Sequence, residues 1–116
     1  MYDLNYLVSV TENDALLIAQ LVDEFIYTME TDVSEMEKAI VQNNFKSIHQ
    51  LAHRMKGSTS ILGAVKLQNI AVQLESMAHK KSGKNYYEQW EKLSEEFTQV
   101  VCALRKKYPK VKGVYE

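Results

Sequence analysis

The stretch Leu51-Ala52-His53-Arg54-Met55-Lys56-Gly57-Ser58 decides how this chain folds. It lies within Asn44 to Gly63, which reads as one helix. Successive side chains on an α-helix are rotated by about 100°, so each position has an angle about the axis. With His53 set at zero, Phe45, Ile48, Leu51, Ala52, Met55, Thr59 and Leu62 share one sector of about 120°, apolar apart from Thr59. Lys46, His49, Gln50, His53, Arg54, Lys56, Gly57 and Ser60 fall on the other side. His53 therefore points away from the core. Lys56 and Gly57, three and four places on, are its neighbours on the helix surface.

A glycine inside a helix costs about 1 kcal/mol relative to alanine. Here it leaves no side chain beside the imidazole, so another molecule can reach the ring. A competing reading ends the helix near Gly57 and makes Gly57-Ser58-Thr59-Ser60 a turn. Against it, the apolar sector continues in phase through Thr59 and Leu62. Gly63, followed by a new periodic run, is also the better helix stop.

Working outward, residues 1–12 form a short N-terminal arm whose Tyr2, Leu4, Tyr6, Leu7 and Val8 are apolar enough to lie on the rest of the protein. Thr11 is placed to cap the following helix, with Glu12 or Asp14 favourable near its positive end. That helix runs from about Asn13 to Glu30, with Ala15, Leu17, Ile18, Leu21, Val22, Phe25 and Met29 on one face. Leu16 and Tyr27 sit opposite, where the arm can cover them or where they offer a small partner patch, the arm being favoured. A weaker segment, Thr31 to Gln42, carries Val33, Met36, Ile40 and Val41 at helical spacing after a break near Met29-Glu30-Thr31-Asp32. Alternatively, the preceding helix runs through that break. Asn43-Asn44 ends one helix and caps the next. Beyond Gly63, Leu67, Ile70, Ala71, Leu74, Met77 and Ala78 make a stripe from about Val65 to Lys80. Ser82-Gly83-Lys84-Asn85 is a loop, and Tyr86 to Tyr108 is the last helix, closed by Pro109. Residues 110–116 read as a loose tail. The result is an all-α chain: an antiparallel four-helix bundle with an additional N-terminal helix or arm.

At 116 residues the chain reads as a single domain. A net charge of −1 gives no electrostatic reason to expect nucleic acid. No apolar run approaches the roughly 18 residues that span a membrane, and the first residues do not read as a secretory leader. The single Cys102 cannot make an internal disulfide, which suits a reducing, cytoplasmic setting. A monomer is expected, because one apolar face per helix is enough to build the bundle.

Ala52-His53-Arg54-Met55-Lys56-Gly57-Ser58, followed by Leu62-Gly63-Ala64, Leu67 and Leu74-Glu75, resembles the signature of histidine-containing phosphotransfer (HPt) domains. The departure within the first box is Met55 for the usual Leu, a swap that cores tolerate. The resemblance implies a phosphorelay intermediate: His53 accepts a phosphoryl group from a receiver-domain aspartate or a hybrid sensor kinase and passes it to a response-regulator aspartate. It assigns Lys56 to supporting the phosphoryl group and Gly57 to giving the partner room. It names receiver domains as partners and places Mg²⁺ in the receiver, with no cofactor expected in this chain.

The residues suit that chemistry. Neutral imidazole is a good nucleophile, and its ordinary pKa of about 6.5 leaves most of it neutral near pH 7. Lys56 is one turn away, where a cation offsets transferring phosphoryl charge. Ser60, on the same face, can add a hydrogen bond. Glu75 flanks the Leu67–Ala78 stripe and can accept a hydrogen bond from the other ring nitrogen, fixing its orientation. No Gly-rich nucleotide loop, Walker pattern or Asp cluster for Mg²⁺ is visible, so a phosphorylated His53 needs a partner's catalytic parts. Lys46, His49, Gln50, Arg54 and Ile61 surround it as a docking face, and its basic members suit an acidic receiver pocket.

Three rivals compete. His53 could be an ordinary surface histidine. His49 and His53 have the i, i+4 spacing of metal ligands, repeated by Glu75 and His79, but further ligands are not in view. The strongest rival is a non-catalytic docking module that binds signalling proteins without phosphorylation. His49 is a weaker acceptor than His53, since no cation or glycine follows it three or four places on, and His79 suits the negative end of its helix.

Overall fold

The computed structural model describes residues 1–81 and 84–110, and every regular element among them is helical. Helix α1 covers Asn5–Val10, α2 Ala15–Val41, α3 Phe45–Ile61, α4 Val65–His79 and α5 Tyr86–Lys107. The four long helices form a closed ring of neighbours: α2 on α3, α3 on α4, α4 on α5 and α5 back on α2. This is the expected four-helix bundle, and α1 is the additional N-terminal helix.

Periodicity builds the core. Ile18, Val22, Phe25, Met29, Val33 and Met36 recur three and four apart along α2 and are all buried. Ile48, Leu51, Ala52, Met55, Thr59 and Leu62 do the same for α3, as the sector argument requires. Leu67, Ala71, Leu74 and Ala78 complete α4, and Leu93, Phe97, Val100 and Leu104 complete α5. Full burial of each large member contributes about 1.5–3 kcal/mol. Polar contacts then fix α5 against α2. The Trp90 Nε1–H donates to the Val33 carbonyl at 2.8 Å, and Arg105 pairs with the buried Asp23.

Several sequence expectations are corrected. The break near Met29-Glu30-Thr31-Asp32 does not occur, and α2 runs unbroken for 27 residues. No Gly or Pro interrupts it. Thr31 Oγ1 donates to the Tyr27 carbonyl within the helix, and Asp32 is buried rather than capping. The cap of α2 is Asp14, whose carboxylate accepts from the Leu17 N–H, not Thr11. Thr11 instead closes α1, its hydroxyl donating to the Leu7 carbonyl at 2.5 Å. Leu16 and Tyr27 stay exposed, as do Leu17 near the start of α2 and Val41 at its end. The arm packs elsewhere: Leu4 and Leu7 are buried, and Asp3 N–H donates to the Leu62 carbonyl at 3.0 Å. That contact explains Gly63, whose φ of +62° suits glycine and whose missing Cβ would lie 2.5 Å from the Asp3 carbonyl oxygen. Asn44 caps α3 as expected, accepting from the Ser47 N–H. Ser82 and Gly83 of the anticipated loop, and residues 111–116 of the anticipated tail, lie outside the described residues.

Candidate functional site

The helix α3 runs unbroken through Gly57 to Ile61, so His53, Lys56 and Gly57 share one continuous surface. The His53 side chain is 66% exposed. Its Nδ1 lies 2.6 Å from Glu75 Oε2, and Lys56 Nζ donates to Glu75 Oε1 at 2.8 Å. One carboxylate on α4 therefore holds two side chains of α3, each by its own oxygen. Glu75 is only 16% exposed, so this is no loose surface pair. The Lys56 hydrogen bond holds the Glu75 carboxyl below the usual carboxylate range; partial burial opposes the shift, and the His53 hydrogen bond assists it.

That ionised carboxylate fixes the state of the ring. A carboxylate only accepts hydrogen bonds, so the hydrogen of neutral His53 sits on Nδ1. The lone pair is left on Nε2, the nitrogen away from Glu75. An exposed, oriented imidazole stands beside a cation one turn away. Gly57 completes the setting, because a Cβ built there meets no atom within 4 Å. The space beside the ring is open.

The other anticipated residues fall out less evenly. Ser60 is exposed one turn beyond Lys56, and no hydrogen bond joins it to His53, Lys56 or Glu75. Lys46 and Gln50 are exposed on the same helix, His49 is half-buried, and Ile61 is 48% exposed. Arg54 is exposed but tethered: Nε and Nη2 donate to the two oxygens of Asp32 at 3.1 and 2.6 Å. Two features escaped the sequence reading. One is this Asp32 anchor, concealed by the expected helix break. The other is a groove of about 280 Å³ next to Arg54, lined by Leu7, Leu21, Glu24, Phe25 and Thr28 from α1 and α2 and by Arg54, Ser58 and Ile61 from α3. It forms only where three helices meet, and the periodicity of one helix carries no sign of it. The imidazoles of His49 and His53 are parallel, with centroids 6.4 Å apart, and the His79 ring lies 5.9 Å from that of His49. Among the described residues, no group of three or more His, Cys, Asp or Glu side chains is placed to hold a metal ion.

Known proteins resemble this chain in sequence and fold. The family model of the Hpt domain matches residues 20–106. The virulence sensor protein BvgS of Bordetella bronchiseptica is 31% identical over 77 residues, which are 66% of this chain and 6% of the sensor. The phosphorelay intermediate protein YPD1 of Candida albicans is 25% identical over 80 residues, 69% of this chain and 44% of YPD1. The chain thus spans well under two thirds of the length of either relative. The crystal structure of histidine-containing phosphotransfer protein B (HptB) from Pseudomonas aeruginosa superposes with a TM-score of 0.85 at 23% identity, covering 92% of this chain and 93% of HptB, a likeness of fold. With its family model matched over α2 to α5 and its fold shared, this chain belongs to the Hpt domain family.

Proposed function

We propose that this chain is a phosphorelay intermediate that carries a phosphoryl group on His53 Nε2 between aspartates of receiver domains. The observation that supports it most is the hydrogen bond from His53 Nδ1 to Glu75, which leaves a solvent-facing lone pair next to Lys56. In the transfer, the Nε2 lone pair attacks phosphorus as the bond to the donor aspartate oxygen breaks, and the carboxylate leaves with that electron pair. The Nδ1–H stays in place, so the ring gains a positive charge as it gains the dianionic phosphoryl group. Glu75 lies against that developing charge. Lys56 is the cation within reach of the phosphoryl oxygens. The reverse step, attack by a second aspartate on the phosphohistidine, uses the same groups.

The chain acts as carrier rather than as a kinase. It supplies nucleophile, orientation and cation, and the receiver supplies Mg²⁺ and the acyl phosphate. Docking falls to the face of α3 that bears Lys46, His49, Gln50, Arg54 and Ile61, with the apolar groove beside it. Gly57 gives the partner backbone access, and Ser60 offers a hydrogen bond to it or to the phosphoryl group. A cytoplasmic monomer fits this role. Among the described residues, no helix is long and apolar enough to cross a membrane.

The test is transfer from a receiver domain labelled on its aspartate to the wild type and to His53→Gln, with the product assayed for acid-labile, base-stable phosphate. Label on the wild type alone is the expected result. Binding of a receiver without label on the wild type would favour the docking module, and label persisting on His53→Gln would move the acceptor to His49 or His79.

A further inference from the structure

Three imidazoles gather around His49: its own ring, that of His53 and that of His79. His53 and His49, one turn apart on α3, are parallel to within 7°, and His79 at the end of α4 lies against His49. His53 has its role, but neither the docking place of His49 nor the helix-end place of His79 accounts for their ring contacts. The cations nearest the acceptor are already committed, Lys56 to Glu75 and Arg54 to Asp32. His49 is not: among the described residues no hydrogen bond or ion pair engages it, only the two ring contacts. An imidazole can still change its charge near neutral pH, which a lysine cannot.

We infer that His49 is a proton-linked stabiliser of phosphorylated His53: it takes up a proton as the phosphoryl group arrives, and so ties the transfer equilibrium to pH. This rests on the phosphotransfer reading above. Attack by Nε2 adds a dianionic phosphoryl group and leaves the ring cationic, a net change of one negative charge at His53. At the 6.4 Å between the ring centroids, and screened as in water, one charge moves a titration midpoint by roughly half a pH unit, about threefold in the proton equilibrium. The remaining charged and titratable neighbours do not supply this response. On α3, Lys46 and Lys56 are cationic throughout. On α4, Glu75 stays ionised and Lys80 is cationic, and among the described residues His79 makes a ring contact with His49 and none with His53, so it responds less. On α5, Tyr86 packs tilted against Phe45 one turn before His49; its hydroxyl donates to the Met77 carbonyl and burial pushes its pKa up, so it stays neutral. On α2, Asp32 is paired with Arg54.

The experiment has two arms. In the first, wild-type protein is phosphorylated with phosphoramidate, and the imidazole carbon-bound protons are titrated by NMR before and after. The His49 midpoint is expected to rise by about half a pH unit and that of His79 by less. A His49 midpoint that moves by less than about 0.2 overturns the inference, as does a larger movement at His79. In the second arm, the equilibrium between labelled receiver and acceptor is measured at pH 8 and pH 6 for wild type, His49→Gln and His49→Lys. Taking the ratio of wild type to variant cancels the titration of His53 itself. The wild type should gain about threefold on His49→Gln between pH 8 and pH 6, and His49→Lys should hold its advantage over His49→Gln at both pH values. A flat ratio overturns the inference while leaving His53 as carrier. Failure of both donors to label His53 would sink the carrier reading, and the inference with it.

Discussion

Replacing Gly57 with alanine should make the protein more stable and a worse acceptor. Gly57 lies inside α3, and the new methyl group would meet no atom within 4 Å, so the helix gains propensity without a clash. Gly→Ala at an exposed interior position contributes about 1 kcal/mol. With an unfolding entropy of about 2.1 cal/mol/K per residue, a chain of this size converts that gain to a rise of about 4 °C in Tm. The same methyl stands beside His53, in the open space through which the proposed receiver partner reaches the ring. Forcing a methylene into a well-packed contact costs about 1–3 kcal/mol, a slowing of transfer by roughly five- to 150-fold. The assay pairs thermal unfolding with single-turnover transfer from a labelled receiver. Labelling by phosphoramidate, which is too small to need the cleft, serves as the control and should change little. An unchanged receiver rate in the stabilised variant would refute the access role of Gly57. A fall in Tm would refute the reading that this position is free of contacts.

The other glycine of the signature should behave oppositely. Gly63→Ala places a side chain at φ +62°, worth about 1–2 kcal/mol, and within 2.5 Å of the Asp3 carbonyl oxygen. Displacing the arm also loses the Asp3–Leu62 hydrogen bond, worth about 1 kcal/mol, so urea denaturation should show a loss of roughly 2–3 kcal/mol. For the Asp32–Arg54 pair, Arg54→Met strands a buried carboxylate and should cost about 2 kcal/mol or more, while Asp32→Asn frees an exposed guanidinium to reach water and should cost under about 1 kcal/mol. Equal losses would mean that Asp32 finds another partner. Because the folded-state pKa of Glu75 is depressed, its stabilisation is present above the ordinary value of 4.5 and is lost as pH falls through the lower folded value. The stability difference between wild type and Glu75→Gln, read from denaturation midpoints, should therefore shrink between pH 6 and pH 3. A constant difference would count against the Lys56–Glu75 contact in solution.

The parts legible in advance were those that one helix decides for itself. The core face of α3 follows from seven positions in phase, and Asn44 as its cap follows from the local competition of an Asn side chain for backbone N–H groups. The same local rule misled at Thr31 and Asp32. Both types favour caps, so their adjacency reads as a break. In the bundle, Thr31 turns its hydroxyl onto the preceding turn, and Asp32 is drawn inward by an arginine 22 residues away. Thr11 and Asp14 show the limit at finer scale. Either could cap α2, and the choice depends on the positive φ angles of Glu12 and Asn13, which let the chain reverse before Asp14 rather than at Thr11. The groove next to Arg54 and the contact between His49 and His79 depend on the relative register of separate helices. A single helix's periodicity does not encode that register.

Glu75 shows why a carboxylate, and not merely a polar group, belongs at this position. Its two oxygens are both occupied, one by the ring and one by Lys56. A glutamine keeps one acceptor and presents an NH₂ group in place of the other. If its oxygen goes to Lys56, the NH₂ faces His53 Nδ1 and donates to it. That bond draws the ring hydrogen to Nε2 and takes the lone pair from the nitrogen that must attack. If instead the oxygen goes to His53, the NH₂ is set against the Lys56 ammonium, donor facing donor, and Lys56 loses its anchor. Glu75→Gln, nearly isosteric, should therefore slow transfer by about ten- to a hundredfold, by analogy with the loss when the carboxylate orienting a metal-ligating histidine is removed. Glu75→Ala leaves the ring free to adopt either tautomer and should be no worse than Glu75→Gln. A glutamine variant that transfers at the wild-type rate would mean that Glu75 does not set the tautomer. The orientation of His53 would then have to come from the partner.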